Sequence, residues 1–286
     1  MINKVHNKIP ITDSHVHLWD INQLDYPWLA MEPEINSSFL IENYQTDTKD
    51  HGIDKMVFIQ AECSPDQFIK ELEFAERQAS LDPRIQAIVA YAPLEKGQKV
   101  FDLLEQYQAH PMVKGVRRMF DDNPYLCQDN LYCESVRALA RYDLSIDLSI
   151  VPASIPYTLK LIKSCPDTLF ILDHLAKPAI KDKKFAEYQK NLADLAVFPN
   201  VVAKISGLLP LADRKNWTVQ EISPYLEYAL EKFGCDRLMF GSDWPVVLLG
   251  GSFVQWKDLV MNLSGNASSQ EIIKLFYQTA NKIYRI

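Results

Sequence analysis

No stretch of this 286-residue chain approaches the roughly 18 to 20 apolar residues that span a bilayer. Its opening, MINKVHNKIPITD, lacks the apolar core of a secretory signal. Cysteine is sparse and unpaired: Cys63, Cys127, Cys133, Cys165 and Cys235 are scattered, odd in number and form no C-x-x-C. That pattern argues against a disulfide framework and fits a reduced compartment, so a cytoplasmic location is expected, with the thiols as small buried hydrophobes. Excess positive charge is also missing. Thirty Lys and Arg against 37 Asp and Glu leave a net charge of −7, which speaks against a nucleic-acid partner. A small anionic substrate stays possible, because a local arginine overrides the global sign. Low-complexity segments, short repeats and Pro/Gly/Ser linkers are absent as well.

What is present is an alternation. Eight short runs rich in Val, Ile, Leu and Phe (9–17, 56–62, 85–93, 113–119, 144–151, 169–175, 201–208 and 237–244) are separated by longer segments with helical periodicity. Nearly continuous apolar runs are the mark of parallel strands buried on both faces. Between the second and third, Phe68, Leu72, Ala75 and Ala79 recur at three- and four-residue spacing. Ser64 reads as the N-cap of that helix, Pro65 as its first residue, and Asp82-Pro83 as its stop. Gly234 reads as the C-terminal cap of the segment 225–234. Eight strand–helix units predict a somewhat distorted (β/α)₈ barrel of the TIM type, with residues 1–286 as a single domain. From Leu18 to about Gln45 periodicity fails, and Trp19, Tyr26, Pro27, Trp28 and Pro33 crowd a long first loop. In a barrel that loop lies at the strands' C-terminal mouth, where its aromatics would wall or roof a pocket.

The chain has six histidines, and two of them, His15 and His17, sit in ITDSHVHLWD. Residues i and i+2 of an extended segment point to one side, so both imidazoles face one spot. In a barrel, the polar residues at the strand ends converge there: Glu62, Tyr91, Arg117 or Arg118, Asp147, His174, Lys204, Ser206 and Asp243. His15, His17, His174 and Asp243 have the composition of a divalent metal site in which Asp243 shuttles a proton. Register selects Arg117 as the inward arginine, because Val113, Gly115 and Arg117 share a face. Asp173, next to His174, is expected on the opposite side, in the barrel–helix layer. Lys204 either binds substrate oxygens or neutralises a buried acid. Asp147 and Glu62 are partners for hydroxyls or for a histidine.

DSHVHLWD (13–20), YPWL (26–29), QAE (60–62), KGVR (114–117), DHLAKP (173–178), KISGL (204–208) and GSDWPV (241–246) follow one another in this order. Together they resemble the amidohydrolase superfamily, and within it the branch of sugar-acid lactonases and 2-pyrone-4,6-dicarboxylate lactonase. The resemblance implies a hydrolase that opens a lactone with water and serves carbohydrate metabolism. By matching motif positions, it implies a catalytic centre of His15, His17, His174 and Asp243, with Asp243 as base. Arg117 would hold the substrate and Trp28 would cover the ring; Glu62, Asp147, Lys204 and Trp244 complete the expected binding set. Members with two metals carry histidines on two neighbouring middle strands, whereas this chain has only His174 there. One divalent ion, zinc or manganese, is therefore expected, and turnover need not depend on it. The alternative on the same barrel is a metal-dependent decarboxylase or another amidohydrolase-type hydrolase.

Overall fold

The computed structural model describes residues 9–119, 123, 125–265 and 267–286. Seven of the eight apolar runs contain a strand and the second overlaps one that begins three residues before it: β1 (Ile11–Val16), β2 (Ile53–Ile59), β3 (Ile85–Tyr91), β4 (Val113–Arg117), β5 (Ser145–Leu148), β6 (Phe170–Leu172), β7 (Val201–Ile205) and β8 (Leu238–Phe240). They form one parallel sheet in the order β1 to β8 with helices interleaved, a nearly closed (β/α)₈ barrel.

Closure falls to the residues just beyond β8, since its regular pairing stops at Phe240. The Asp243 N–H donates to the His15 carbonyl (2.9 Å), and the His17 N–H to the Trp244 carbonyl (2.8 Å). Asp13 completes the seam. Its Oδ1 accepts the backbone N–H groups of Ser242 (2.8 Å) and His15 (3.2 Å), and its Oδ2 accepts the Tyr44 hydroxyl (2.8 Å). Tyr44 comes from α1 (Ile41–Asp47), which ends the long first loop.

Two apolar layers hold the sheet. The larger packs the strands' outer faces against the helices. The smaller collects alternate positions, including Val57, Ile59, Val89, Ile171 and Met239, together with Ala280 and Tyr284 of the C-terminal helix Thr279–Tyr284. That helix thus sends Tyr284 in among the inward side chains, where its hydroxyl donates to Asp147 Oδ2 (3.1 Å).

One helix start differs from expectation. α2 spans Phe68–Leu81 and has Gln67 at its N-cap, whose side chain bonds Asp25 rather than capping the helix. Ser64 instead opens a turn, accepting the Gln67 N–H (2.8 Å) and donating its own N–H to the Asp25 carbonyl (2.8 Å), so it ties α2 to the first loop. The stop at Asp82 and the cap at Gly234 (φ 62°) are as read, the latter ending a helix over Val219–Phe233.

Asp13→Ala leaves three buried donors unpaired, and each costs about 1–3 kcal/mol. A loss of roughly 3 kcal/mol or more is expected in urea unfolding; a change under about 1 kcal/mol would show that the seam does not depend on this carboxylate.

Candidate active site

The strand ends bring His15, His17, His174 and Asp243 together. The Nε2 atoms of His15 and His17 stand 3.1 Å apart, and Asp243 Oδ1 lies 3.6 and 3.5 Å from them. Asp243 Oδ2 lies 3.9 Å from His174 Nδ1, which also bonds Ser206 Oγ at 2.9 Å. Burial pushes the Asp243 carboxyl up to about 6, against the pull of His174 and Arg117. Burial also keeps the imidazoles neutral: His17 is pushed down to about 3, His15 well below its usual range, and His174 in the same direction.

These donors fit a divalent cation. Four tetrahedral ligand atoms at ~2.0–2.2 Å from an ion lie about 3.3–3.6 Å from one another, close to the 3.1, 3.5 and 3.6 Å edges of the His15–His17–Asp243 triangle. His174 belongs to a second grouping, with His15 and Asp173, rather than to that triangle.

Below the histidines lies a buried charged floor. Lys204 Nζ contacts Asp147 Oδ2, Asp173 Oδ1 (3.1 Å) and His15 Nδ1 (3.2 Å). Asp173 also meets Arg117 Nη1 (3.4 Å). Burial alone would raise the Asp173 carboxyl, but Lys204, His15 and Arg117 hold it well below the usual range. The expectation that Asp173 faces the helices is therefore corrected. β6 ends at Leu172, and Asp173 keeps the inward alternation of Ile171. His174 (φ 53°) and Leu175 (φ 52°) then enter the left-handed region, which brings His174 back to the same side.

Above the histidines opens a cavity of about 480 Å³, within the range of small-molecule sites. His17, His174, Asp243, Arg117, Glu62 and Trp28 line it. Lys204, Asp147 and Trp244, expected as substrate contacts, do not. The first two form the floor, and the Trp244 indole packs on Phe39 and Tyr44 and donates to Asp47 (2.9 Å). Trp19 is buried as well, its N–H on the Ser37 carbonyl (2.7 Å), so Trp28 is the loop tryptophan that reaches the cavity. Arg118, set aside on register in favour of Arg117, lines it too, as do Lys177 and the Glu32–Arg214 pair, which the sequence did not single out. Lys177 could have been read from DHLAKP; Arg214 carries no sequence signal beyond following the seventh strand.

The cavity wall at the end of β2 is pinned from several sides. Arg117 Nη2 donates to the Gln60 carbonyl (2.6 Å), and Trp28 Nε1 to the Ala61 carbonyl (2.8 Å). The buried Glu71 of α2 accepts the Ala61 N–H (2.9 Å), and Glu62, at φ 56°, exchanges bonds with the Gln60 side chain. Burial pushes the Glu71 carboxyl up to about 7 despite the Ala61 bond.

The profile of the family described as Amidohydrolase matches residues 12–286. A relative named L-fucono-1,5-lactonase, from Burkholderia multivorans, is 28% identical, with 96% of this chain and 95% of the relative aligned. A relative named L-rhamnono-gamma-lactonase, from Scheffersomyces stipitis, is 24% identical over 98% of this chain and 100% of its own. The crystal structure of an amidohydrolase from Burkholderia multivorans with bound zinc superposes with a TM-score of 0.89 at 27% identity, covering 97% of this chain and 99% of that one.

Two substitutions probe this geometry. Gly207 has φ +63°, and a Cβ there would lie 2.7 Å from Asp243 Oδ2 and closer still to His174 Nδ1. Gly207→Ala should displace both side chains and cut turnover at least about tenfold, since small misplacements of reacting groups are costly; unchanged kcat would show the pair is not held in this arrangement. Glu71→Gln removes a carboxyl whose folded pKa lies above the usual 4.5. Its contribution to stability is present below pH 4.5 and lost as pH rises through about 7. From pH 5 to 8 the variant should therefore gain stability relative to wild type, by up to about 3 kcal/mol. A pH-independent difference in melting temperature would contradict the shift.

Proposed function

We propose that this chain, which belongs to the amidohydrolase family, opens the ring of a lactone of a sugar acid or related hydroxy acid by attack of water, with Asp243 as general base. The observation that carries this reading is the position of Asp243: a buried carboxylate on the cavity wall, pushed up to about 6 and facing three imidazoles. A base with a pKa near the working pH is ionised yet still takes a proton readily.

In this mechanism Asp243 accepts a proton from water as the water oxygen bonds to the lactone carbonyl carbon. The resulting oxyanion is met by Arg117 and the imidazoles. Arg117 lines the cavity, and its guanidinium is held there by Asp173 and the Gln60 carbonyl. When the intermediate collapses, the ring C–O bond breaks and Asp243 returns the proton to the departing alkoxide, giving the open hydroxy acid. Trp28 offers its indole to the ring, and Glu62 accepts from hydroxyls. Lys204, Asp147 and Trp244 act on substrate only through the residues they support. A divalent ion, zinc or manganese, held by His15, His17 and Asp243, would supply a Lewis acid at this point. A lactone is already an activated ester, so hydrogen bonds and one base are adequate without it. Such an activity fits carbohydrate metabolism in the cytoplasm. The names of the two curated relatives and the zinc in the superposed structure support this reading.

Acid release from a panel of sugar 1,4- and 1,5-lactones, followed by pH indicator, tests it. Asp243→Asn should lose about 10²–10⁴-fold in kcat. For the chelator-treated enzyme kcat/KM should rise with pH through about 6, where Asp243 loses its proton, and level off above. Undiminished turnover by Asp243→Asn would sink the assignment. Failure of metal-loaded protein on every lactone, with carbon dioxide released from aromatic acids, would establish the decarboxylase alternative.

A further inference from the structure

We propose that Lys204 is a positioning residue that sets the tautomer of His15 and so limits how tightly His15, His17 and Asp243 hold a divalent cation. The inference rests on the reading of that triangle as a cation site, but its first measurement requires neither cation nor substrate.

Lys204 is fully buried, and its ammonium group has three neighbours: Asp147 Oδ2, Asp173 Oδ1 at 3.1 Å and His15 Nδ1 at 3.2 Å. A lysine ammonium only donates. Its hydrogen bond to His15 therefore requires a lone pair on Nδ1, which puts the ring proton on Nε2. His17 is set from the other end. Its Nδ1 lies 2.8 Å from the Ile59 carbonyl oxygen, an acceptor, so the proton of neutral His17 is on Nδ1 and its Nε2 carries a lone pair. The two assignments meet where the rings meet: His15 Nε2–H donates to His17 Nε2 across 3.1 Å. One directional chain of hydrogen bonds runs from Lys204 through both imidazoles to the backbone of β2.

Asp173 competes for the same ring nitrogen. Its Oδ1 lies 3.2 Å from His15 Nδ1, and a proton on that nitrogen would give the opposite tautomer. Among the described residues, however, no donor meets Asp173 Oδ1 in hydrogen-bond geometry, whereas the contact of Lys204 with His15 has that geometry. Holding a cation on His15 Nε2 reverses the choice. The proton must leave Nε2 and one must arrive at Nδ1, where the Asp173 carboxylate is poised to accept the N–H in the manner of the carboxylates that orient metal-bound histidines. The ring stays neutral throughout, but the Lys204–His15 bond is lost. Lys204 therefore favours the tautomer that cannot ligate through Nε2, and its positive charge adds repulsion one imidazole away from the cation position. Tyr284 holds the lysine in place, with its hydroxyl on Asp147 and its ring 5.6 Å from Nζ.

Long-range ¹H–¹⁵N correlation spectra of the metal-free, full-length protein read the tautomers directly. The expected result is His15 protonated on Nε2 and His17 on Nδ1. In Lys204→Met the His15 proton should move to Nδ1, and zinc measured by competition with a chromophoric chelator should bind roughly tenfold or more tightly. Wild-type His15 protonated on Nδ1 would overturn the proposal. So would a folded Lys204→Met protein with an unchanged tautomer, or with zinc affinity equal to or weaker than wild type. If the variant does not fold, the wild-type spectrum decides. A protein that hydrolyses no lactone but shows these tautomers would overturn the functional reading and leave this one standing.

Discussion

An eight-stranded parallel sheet closes only if its last strand reaches its first, and here the seam is made largely by residues that also build the site. Because β8 stops pairing at Phe240, the bonds across the seam run from Asp243 N–H to His15 and from His17 N–H to Trp244, with Asp13 bridging to Ser242. The three side chains that face one another, His15, His17 and Asp243, therefore sit on backbone segments bonded directly to each other. The separation of their ligand atoms is a property of barrel closure, and disturbing one is expected to disturb the other.

The seam and floor also gather an unusual number of ionisable groups into the protein interior, where each charge must be matched or given up. The groups divide accordingly. Asp173 meets two cations, Lys204 and Arg117, and stays ionised. Asp243 faces the cavity with neutral imidazoles for company, and burial pushes it up to about 6. Two carboxylates on either side of one histidine thus take different states, one a fixed anion and the other able to gain and lose a proton. Such a separation is the usual physical basis for assigning a base among several acids.

How far the sequence revealed this arrangement depended on whether chain geometry stayed regular. Strand alternation paired His15 with His17 and selected Arg117 as the inward arginine, because β1 and β4 run extended nearly to those positions; that Arg117 meets Asp173 of the floor appears only in the structure. It misplaced Asp173 because His174 has φ 53°, a conformation that cancels alternation and that no residue type at that position announces. Composition signalled that Lys204 and Asp147 were polar and near strand ends, and one of the readings of Lys204, neutralising a buried acid, matches its place. Whether a side chain lies above or below the histidines depends on the level of its strand in the barrel, and that is set by register across neighbours. The N-cap role given to Ser64 failed for a similar reason: its N–H bonds Asp25, 39 positions away along the chain, a tertiary contact that local propensity does not encode.

The cavity wall obeys different constraints from the floor. Trp28 and Glu32 come from the first loop and Arg214 from the segment after β7, and Arg214 joins Glu32 through two short hydrogen bonds of 2.6 and 2.7 Å. That pair is partly exposed, so its contribution to stability is small; its effect is to hold two distant loops at one spacing across the mouth. Among the described residues, neither side chain makes a hydrogen bond or ion pair to the seam; their bonds are to each other. A change in this loop pair alters the shape offered to a substrate while the triangle below stays intact, whereas a change in Asp13 or Gly207 reaches the triangle itself. In barrels of this kind strand ends carry the chemistry and loops shape the pocket, and the triangle and the loop pair are divided between strand ends and loops in the same way. The one crossing point is the end of β2, where Arg117 and Glu71 hold the backbone that carries Glu62 and receives Trp28. Arg117 belongs to both, since one end of its guanidinium meets Asp173 of the floor and the other holds the Gln60 carbonyl of the wall.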